Sequence, residues 1–271
     1  MGAFPRWIVN LVVIYGLVVG VALMARRALI YPFDETAAWT GDLPDVLIKD
    51  VTRPDGTNMV VWAAEPEPKQ PVVFYFMGNV GHLEYFDPRL RELRGFGYGI
   101  VAMAYRGGGG AEGQPSETSL KADAKYIWDN VEQVLRIRIP PERRIIYGSS
   151  LGTGIAADLA AARKSAGVIL EAPFTRLCEV AEYQLKIVPA CRLMWDEFYP
   201  VIDQVIDIRA PILVLHGTDD KTIPVEMGKK IAERAHDVTL KLYDGGHHND
   251  LRLFGAGVDI QAFIETVMSK P

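Results

Sequence analysis

Residues 143–156 read RRIIYGSSLGTGIA, and the order of these residues decides the fold. Ile145, Ile146 and Tyr147 form a short apolar run that ends abruptly at Gly148. From Leu151 an alanine-rich stretch runs to Arg163 with the composition of a helix. Between them, Gly148-Ser149-Ser150-Leu151-Gly152 matches G-x-S-x-G. That pattern serves a very sharp strand-to-helix turn: the glycines remove side chains that would collide, and the central serine is pushed out with its hydroxyl exposed. The helix behind it offers free backbone N–H groups and a positive dipole end to developing negative charge. By composition alone the five-residue pattern turns up in about one chain of this length in ten. Its position between a strand and a helix gives it weight over a glycine-rich turn with idle serines. The same spacing selects Ser150 over Ser149, which would need a glycine where Leu151 stands.

Outward from this turn the chain alternates. Apolar, strand-like runs are expected at 71–77, 99–105, 144–147, 167–170, 211–215 and 238–243, preceded by a hairpin of 46–52 and 58–64 around Pro54-Asp55-Gly56. Helical patterns fall before Gly95 and at 116–136, 151–163, 225–234 and 258–268. In the second of these, Leu120, Ala124, Ile127, Val131, Val134 and Leu135 share one stripe. Strands apolar throughout, alternating with helices, make a parallel sheet covered on both faces. Functional groups in such sheets gather at the carboxyl ends of strands.

A serine on this kind of turn is followed in the chain by an acid and then a histidine. After Ser150 the histidines are His216, His236, His247 and His248. His216 lies in a strand-end turn that it is expected to order, and His236 in a surface setting. His247 and His248 follow the last strand, in YDGGHHND, where a loop can swing an imidazole back to the serine. Asp219 and Asp220 follow the strand PILVL in one loop, and Glu171 ends the strand GVIL. A buried carboxylate at one of these positions would fix the imidazole tautomer and stabilise the imidazolium. Glu171 is expected to be a structural carboxylate bonded to nearby groups.

The 271 residues carry a net charge of −5, with 49% hydrophobic and 23% charged residues. This is globular composition, without the concentrated basic surface of a nucleic-acid binder. No C-x-x-C pair exists, so a zinc site of cysteine type is excluded and no metal is expected. The two cysteines, Cys178 and Cys191, are expected as half-buried free thiols, a bridge requiring an oxidising compartment. Residues 8–25, IVNLVVIYGLVVGVALMA, have nearly the length needed to cross a bilayer and are flanked by Trp7 and by Arg26-Arg27. A cleaved signal would need a small-residue site, which Leu23-Met24-Ala25 does not supply. An uncleaved anchor is therefore expected, with 1–28 as anchor and flanks and 29–271 as the catalytic domain. The flanking charges leave the side of the membrane open.

Several spaced motifs stand in order: FMGNVGH, YRGGGGAEGQPSE, GSSLGTGIA, LEAPF, HGTDDKTIP and HHNDL. Together they resemble the Bem46-like branch of the α/β-hydrolase superfamily, from about Leu29 to the C-terminus. The resemblance implies an α/β-hydrolase fold: a mostly parallel sheet flanked by helices, with a helical cap. It implies Ser150 as nucleophile, Asp220 rather than Asp219 as acid, and His248 rather than His247 as base. It also implies an oxyanion hole of the Asn79 and Leu151 backbone amides. No metal or organic cofactor is called for. Two departures stand out: Met77 replaces the histidine usual before the glycine of the first loop, and His247 occupies a position that is usually small. Methionine cannot tie that loop by hydrogen bonds, so looser positioning is expected there. Arg106 and Gly107–Gly110 are expected to shape a loop beside the site. A phosphate cradle would need a helix directly behind it, and residues 111–115 intervene.

Residues 174–208 exceed an ordinary connection and carry many apolar side chains among charges. They are expected as a cap about 174–208, either packing on its own domain or forming an apolar acyl pocket. The implied activity is hydrolysis of an ester or thioester of a small-molecule, lipid-like acyl substrate at a membrane. Two alternatives share the residues: a serine peptidase on small peptides and a non-catalytic binding protein that keeps the fold.

Overall fold

The computed structural model describes residues 5–34, 36, 43 and 45–269. The helix α1 (Arg6–Ile30) opens the chain. β1 (Leu47–Thr52) and β2 (Asn58–Ala64) then form the expected antiparallel hairpin, Leu47 opposite Ala63 and Thr52 opposite Asn58. Its turn closes through Gly56 at φ 85°, with the Gly56 amide donating to the Arg53 carbonyl at 2.9 Å.

β3 (Val72–Phe76), α2 (Asp87–Gly95) and β4 (Gly99–Met103) follow. The long helical pattern after Pro115 is broken into α3 (Glu117–Asp129) and α4 (Val131–Leu135). This differs from the single helix expected at 116–136. Ser116 caps α3 in a reciprocal box with Ser119. Asn130 interrupts the helix, and its side-chain amide donates to the Tyr126 carbonyl at 2.8 Å, a local bond that competes with the helical ladder. The apolar stripe still continues across the break: Leu120, Ala124, Ile127, Val131, Val134 and Leu135 are all buried.

β5 (Arg144–Ser149) leads through the glycine turn into α5 (Gly152–Ala162), and β6 (Gly167–Glu171) follows. The cap segment then folds as α6 (Leu177–Leu185), α7 (Ala190–Leu193) and α8 (Val201–Gln204). β7 (Ile212–Gly217), α9 (Val225–Arg234), β8 (Val238–Tyr243) and α10 (Ala256–Met268) complete the described chain.

The strands make one sheet in the order β1-β2-β4-β3-β5-β6-β7-β8. β1, β2 and β4 pair antiparallel, and every pairing from β4 through β3 to β8 is parallel. β3, β4, β6 and β7 are buried along their whole length, as two covered faces require, whereas the edge strand β8 buries only Tyr243 fully. The carboxyl ends of β3, β5, β6 and β7 lie side by side at one rim of the sheet. That rim carries the residues discussed next.

Cys178 and Cys191 are joined by a disulfide with their Cα atoms 4.8 Å apart, which corrects the expectation of free thiols. The reason is the fold-back of α6 onto α7, which carries Cys191 back to the first turn of α6. Buried Cys178, Val188, Ala190 and Met194 form a small apolar cluster of the cap, against which Val19 and Ile30 of α1 pack.

Candidate active site

Ser150 stands between β5 and α5 at φ 51°, the left-handed region that costs a residue with a side chain about 1–2 kcal/mol. Three features hold it there. Its amide donates to the Glu171 carbonyl of β6 at 2.9 Å, and its own carbonyl accepts from the Thr153 hydroxyl at 2.6 Å. A Cβ on Gly148 would overlap the Gly152 carbonyl, and one on Gly152 would overlap the Phe76 carbonyl of β3. The glycine spacing thus meets a real requirement: α5 starts directly against the neighbouring strand.

The loop after β8 brings His248 to Ser150, with His248 Nε2 at 3.0 Å from Ser150 Oγ. His248 Nδ1 lies 2.7 Å from Asp220 Oδ2, in the loop after β7. The neutral tautomer that satisfies both contacts carries its proton on Nδ1, donates it to Asp220, and accepts from the serine hydroxyl at Nε2. Asp220 is buried and its other oxygen accepts from the Thr222 and Ile223 amides at 2.8 and 2.9 Å. Burial pushes its carboxyl up, but hydrogen bonds from His216 and His248, the nearby His248 charge and the Ile223 amide outweigh burial and hold it well below the ordinary carboxylate range.

The neighbouring rivals point elsewhere. Asp219 is exposed. The His247 ring is 62% exposed and meets Asp250 at 3.2 Å. His236 is exposed. His216 is fully buried; its Nε2 bonds the Ile223 carbonyl at 2.9 Å and lies 3.5 Å from Asp220, so it orders the acid loop. Glu171 is a structural carboxylate, accepting from Arg89 at 2.5 Å and from the Tyr147 hydroxyl of β5.

Asn79 and Leu151 line the same cavity as Ser150. Leu151 immediately precedes α5, where helix amides lack intrahelical acceptors. Gly78 approaches so closely that a Cβ on it would lie 3.5 Å from Ser150 Cβ. The loop is not loosely held. The hydroxyl of Tyr105, itself fully buried, donates to the Met77 carbonyl at 2.8 Å. Where the side chain at 77 offers no hydrogen bond, this tie comes from the end of the neighbouring strand β4.

The YRGGGG segment is structural. Arg106 grips buried Asp123 with two bonds of 2.6 and 2.7 Å, and the Gly109 amide donates to the Asp34 carbonyl at 2.8 Å. Among the described residues no group of three His, Cys, Asp or Glu side chains is placed to hold a metal ion.

The cavity over Ser150 measures about 290 Å³. Its walls are apolar, drawn from Phe174 and from α6 and α7 of the cap, with Val188 between them. Its remaining wall was not foreseen. Ala22, Leu23, Arg26, Leu29 and Ile30 of α1 line the same space. Arg26 binds Asp196 through two bonds of 2.8 Å, Arg27 reaches Glu197 at 3.2 Å, and Tyr31 bonds buried Glu197 and Tyr199. Arg26 and Arg27, read from sequence only as interfacial flanks, thus also clamp the helix to the cap.

A serine on a sharp glycine turn at the rim of a doubly covered sheet, in hydrogen-bond reach of a histidine after β8 that meets an aspartate after β7, is the arrangement of the α/β-hydrolase class. The chain belongs to the serine aminopeptidase S33 family of that superfamily (Hydrolase_4), whose model matches residues 67–202 and 191–252. It is 32% identical over 193 residues to the uncharacterized protein MT2364 of Mycobacterium tuberculosis, covering 71% of this chain and 68% of that one. It is 37% identical to human alpha/beta hydrolase domain-containing protein 17B, covering 58% of this chain and 52% of that one. To the zebrafish (Danio rerio) lysophosphatidylserine lipase ABHD12 it is 34% identical, covering 61% and 47%. The chain therefore spans about half the length of the last two. Among solved structures, the Pyrococcus furiosus esterase Pf2001 superposes with a TM-score of 0.68 at 19% identity, over 88% of this chain and 100% of that one. The protein is a hydrolase of this superfamily.

Proposed function

We propose that the protein is a membrane-attached serine hydrolase that cleaves an ester or thioester acyl bond. The observation that carries this reading is the continuous hydrogen-bond chain Asp220–His248–Ser150, opening on an apolar cavity. Ser150 Oγ attacks the acyl carbon while His248 Nε2 takes its proton. Asp220 keeps the ring oriented and stabilises the imidazolium. The Asn79 and Leu151 amides receive the oxyanion. The imidazolium then returns the proton to the departing alkoxide or thiolate, leaving an acyl-serine. Water, deprotonated by His248, attacks that ester; His248 then gives the proton to the departing Ser150 Oγ and the acid is released.

The peptidase reading uses the same three residues. It is disfavoured by the cavity, which among the described residues is lined by no carboxylate to receive a substrate's free amine. The membrane part rests on α1, which has the length and composition to cross a bilayer.

The test is fluorophosphonate labelling of the full-length protein with hydrolysis of p-nitrophenyl esters of increasing chain length. Ser150→Ala should abolish labelling and cost on the order of 10⁴–10⁶ in rate. His248→Ala should be severely impaired, while Asp219→Asn and His247→Ala keep most activity. Labelling lost in Ser149→Ala but retained in Ser150→Ala would sink the reading.

A further inference from the structure

The cap does not sit above α1; it lies alongside it. Far down the helix from Arg26, the Tyr15 hydroxyl donates to the Ile187 carbonyl at 2.7 Å. Tyr15 and Arg26 are about 16 Å apart along the axis at helical rise. Val19 packs on the cap cluster between them, and Leu23 and Arg26 reach the cavity. From Tyr15 onward, one face of α1 therefore touches the cap, with Val19, Leu23 and Arg26 half-buried, while Leu17, Val21 and Met24 on the other face are exposed. If α1 is in lipid, this edge of the cap is there with it.

The cap's outer edge has the chemistry for that position. Leu185, Ile187 and Trp195 are exposed, the last two by more than 60%. Trp195 stacks under the Arg26 guanidinium at 4.3 Å, the pairing of an aromatic and a cation found at a headgroup boundary. Arg192 lies exposed toward the Trp195 end of this edge, on a long stem that can carry its charge to phosphates. An apolar edge fringed by basic side chains is the pattern of a surface seated in the interfacial layer of an anionic bilayer.

We propose that the cap edge around Ile187 and Trp195 is a second membrane contact, which together with α1 turns the cavity mouth toward the lipid leaflet. The occupant is the bilayer itself, because Ile187 meets Tyr15 and Trp195 meets Arg26 of the apolar helix α1. The acyl chain then enters the cavity from the leaflet between α1 and α6 and never crosses water, while the ester group meets Ser150 at headgroup level. This deepens the acyl-hydrolase reading and rests on it.

The test uses full-length protein in vesicles of phosphatidylcholine and phosphatidylglycerol. Subtracting the emission of Trp195→Phe from wild type isolates Trp195 among the five tryptophans. Phosphatidylcholine brominated high on its acyl chains should quench most of that difference, and aqueous acrylamide should quench little of it. The reverse order would overturn the proposal. In the same vesicles, Ile187→Glu should lower hydrolysis of an embedded long-chain umbelliferyl ester roughly tenfold, while Ile187→Leu does not. Both variants should hydrolyse water-soluble p-nitrophenyl butyrate at the wild-type rate. An equal fall on both substrates, or none on either, would overturn leaflet entry. Quenching reads the membrane seat alone, so failure of every ester to react would refute the hydrolase reading and leave the seat to be judged separately.

Discussion

Tyr105 shows how much at this site hangs on single bonds. Its hydroxyl donates to the Met77 carbonyl, and the next residues carry the Asn79 amide assigned to the oxyanion. Tyr105→Phe leaves a buried carbonyl without that partner, which costs about 1–3 kcal/mol. It should lower kcat for a soluble ester with little change in KM, because a mispositioned Asn79 amide weakens the transition state more than the ground state. Unchanged kcat would free the loop from this tie. Asp220 gives a second prediction, in pH. Its folded-state carboxyl is held below the unfolded value of about 3.9, so it stabilises the fold above that value and loses this contribution as pH falls through the folded value. The stability gap between wild type and Asp220→Asn in urea should shrink as pH falls below about 4 toward the folded value. A gap that widens below about pH 4 would contradict the direction of the shift. Ser150 was legible because its glycine spacing encodes a steric requirement. The choice of Asp220 over Asp219 was not legible from the strand pattern, since both follow β7 and one residue of rotation decides which faces inward. Tyr105 left no trace either, because its partner is a backbone carbonyl 28 residues away.

The elements divide by how local their determinants are. β3, β4, β6 and β7 could be read from the sequence because strands buried on both faces must be apolar throughout. The break between α3 and α4 could not, because the stripe of apolar residues runs unbroken past Asn130 and only that side chain's own bond reveals the interruption. The disulfide was hidden for a related reason. Thirteen residues separate the two cysteines, and only the angle between α6 and α7 brings them together. That bridge staples the wall of the cavity, and closing a loop of this size stabilises by about 3 kcal/mol in the chain-entropy account. The unreduced protein should therefore give no free thiol with Ellman's reagent under denaturation. Cys178→Ser with Cys191→Ser should speed proteolysis within 177–193 and lower the thermal midpoint by several degrees. Two titratable thiols in protein kept from reductant would remove the staple.

For the whole molecule, α1 carries two consequences. Disulfides persist in oxidising compartments, so for an α1 that spans a membrane the staple favours the outer side, which the flanking charges leave open. Alkaline phosphatase fused after Pro271 should be active, whereas activity of a fusion that works only in the cytoplasm would reverse the orientation. The second consequence concerns the part α1 takes in the cavity. Sequence separates it cleanly from the catalytic domain, since every strand, Ser150, Asp220 and His248 lie downstream, and a protein lacking Met1–Arg27 is expected to fold, dissolve and react. The structure adds that Ala22, Leu23 and Arg26 line the cavity and that Arg26 and Arg27 hold the cap through Asp196 and Glu197. Removing them opens one wall to water without touching the hydrogen-bond chain at Ser150. An acyl chain long enough to reach that wall then loses burial worth about 0.8 kcal/mol per methylene, whereas an acetyl group does not reach it. The truncated protein should hydrolyse p-nitrophenyl acetate at close to the full-length rate. Its kcat/KM should stop rising with chain length at a shorter ester than in the full-length protein, by roughly fourfold for each methylene no longer covered. Identical chain-length profiles for the two proteins would reduce α1 to a tether.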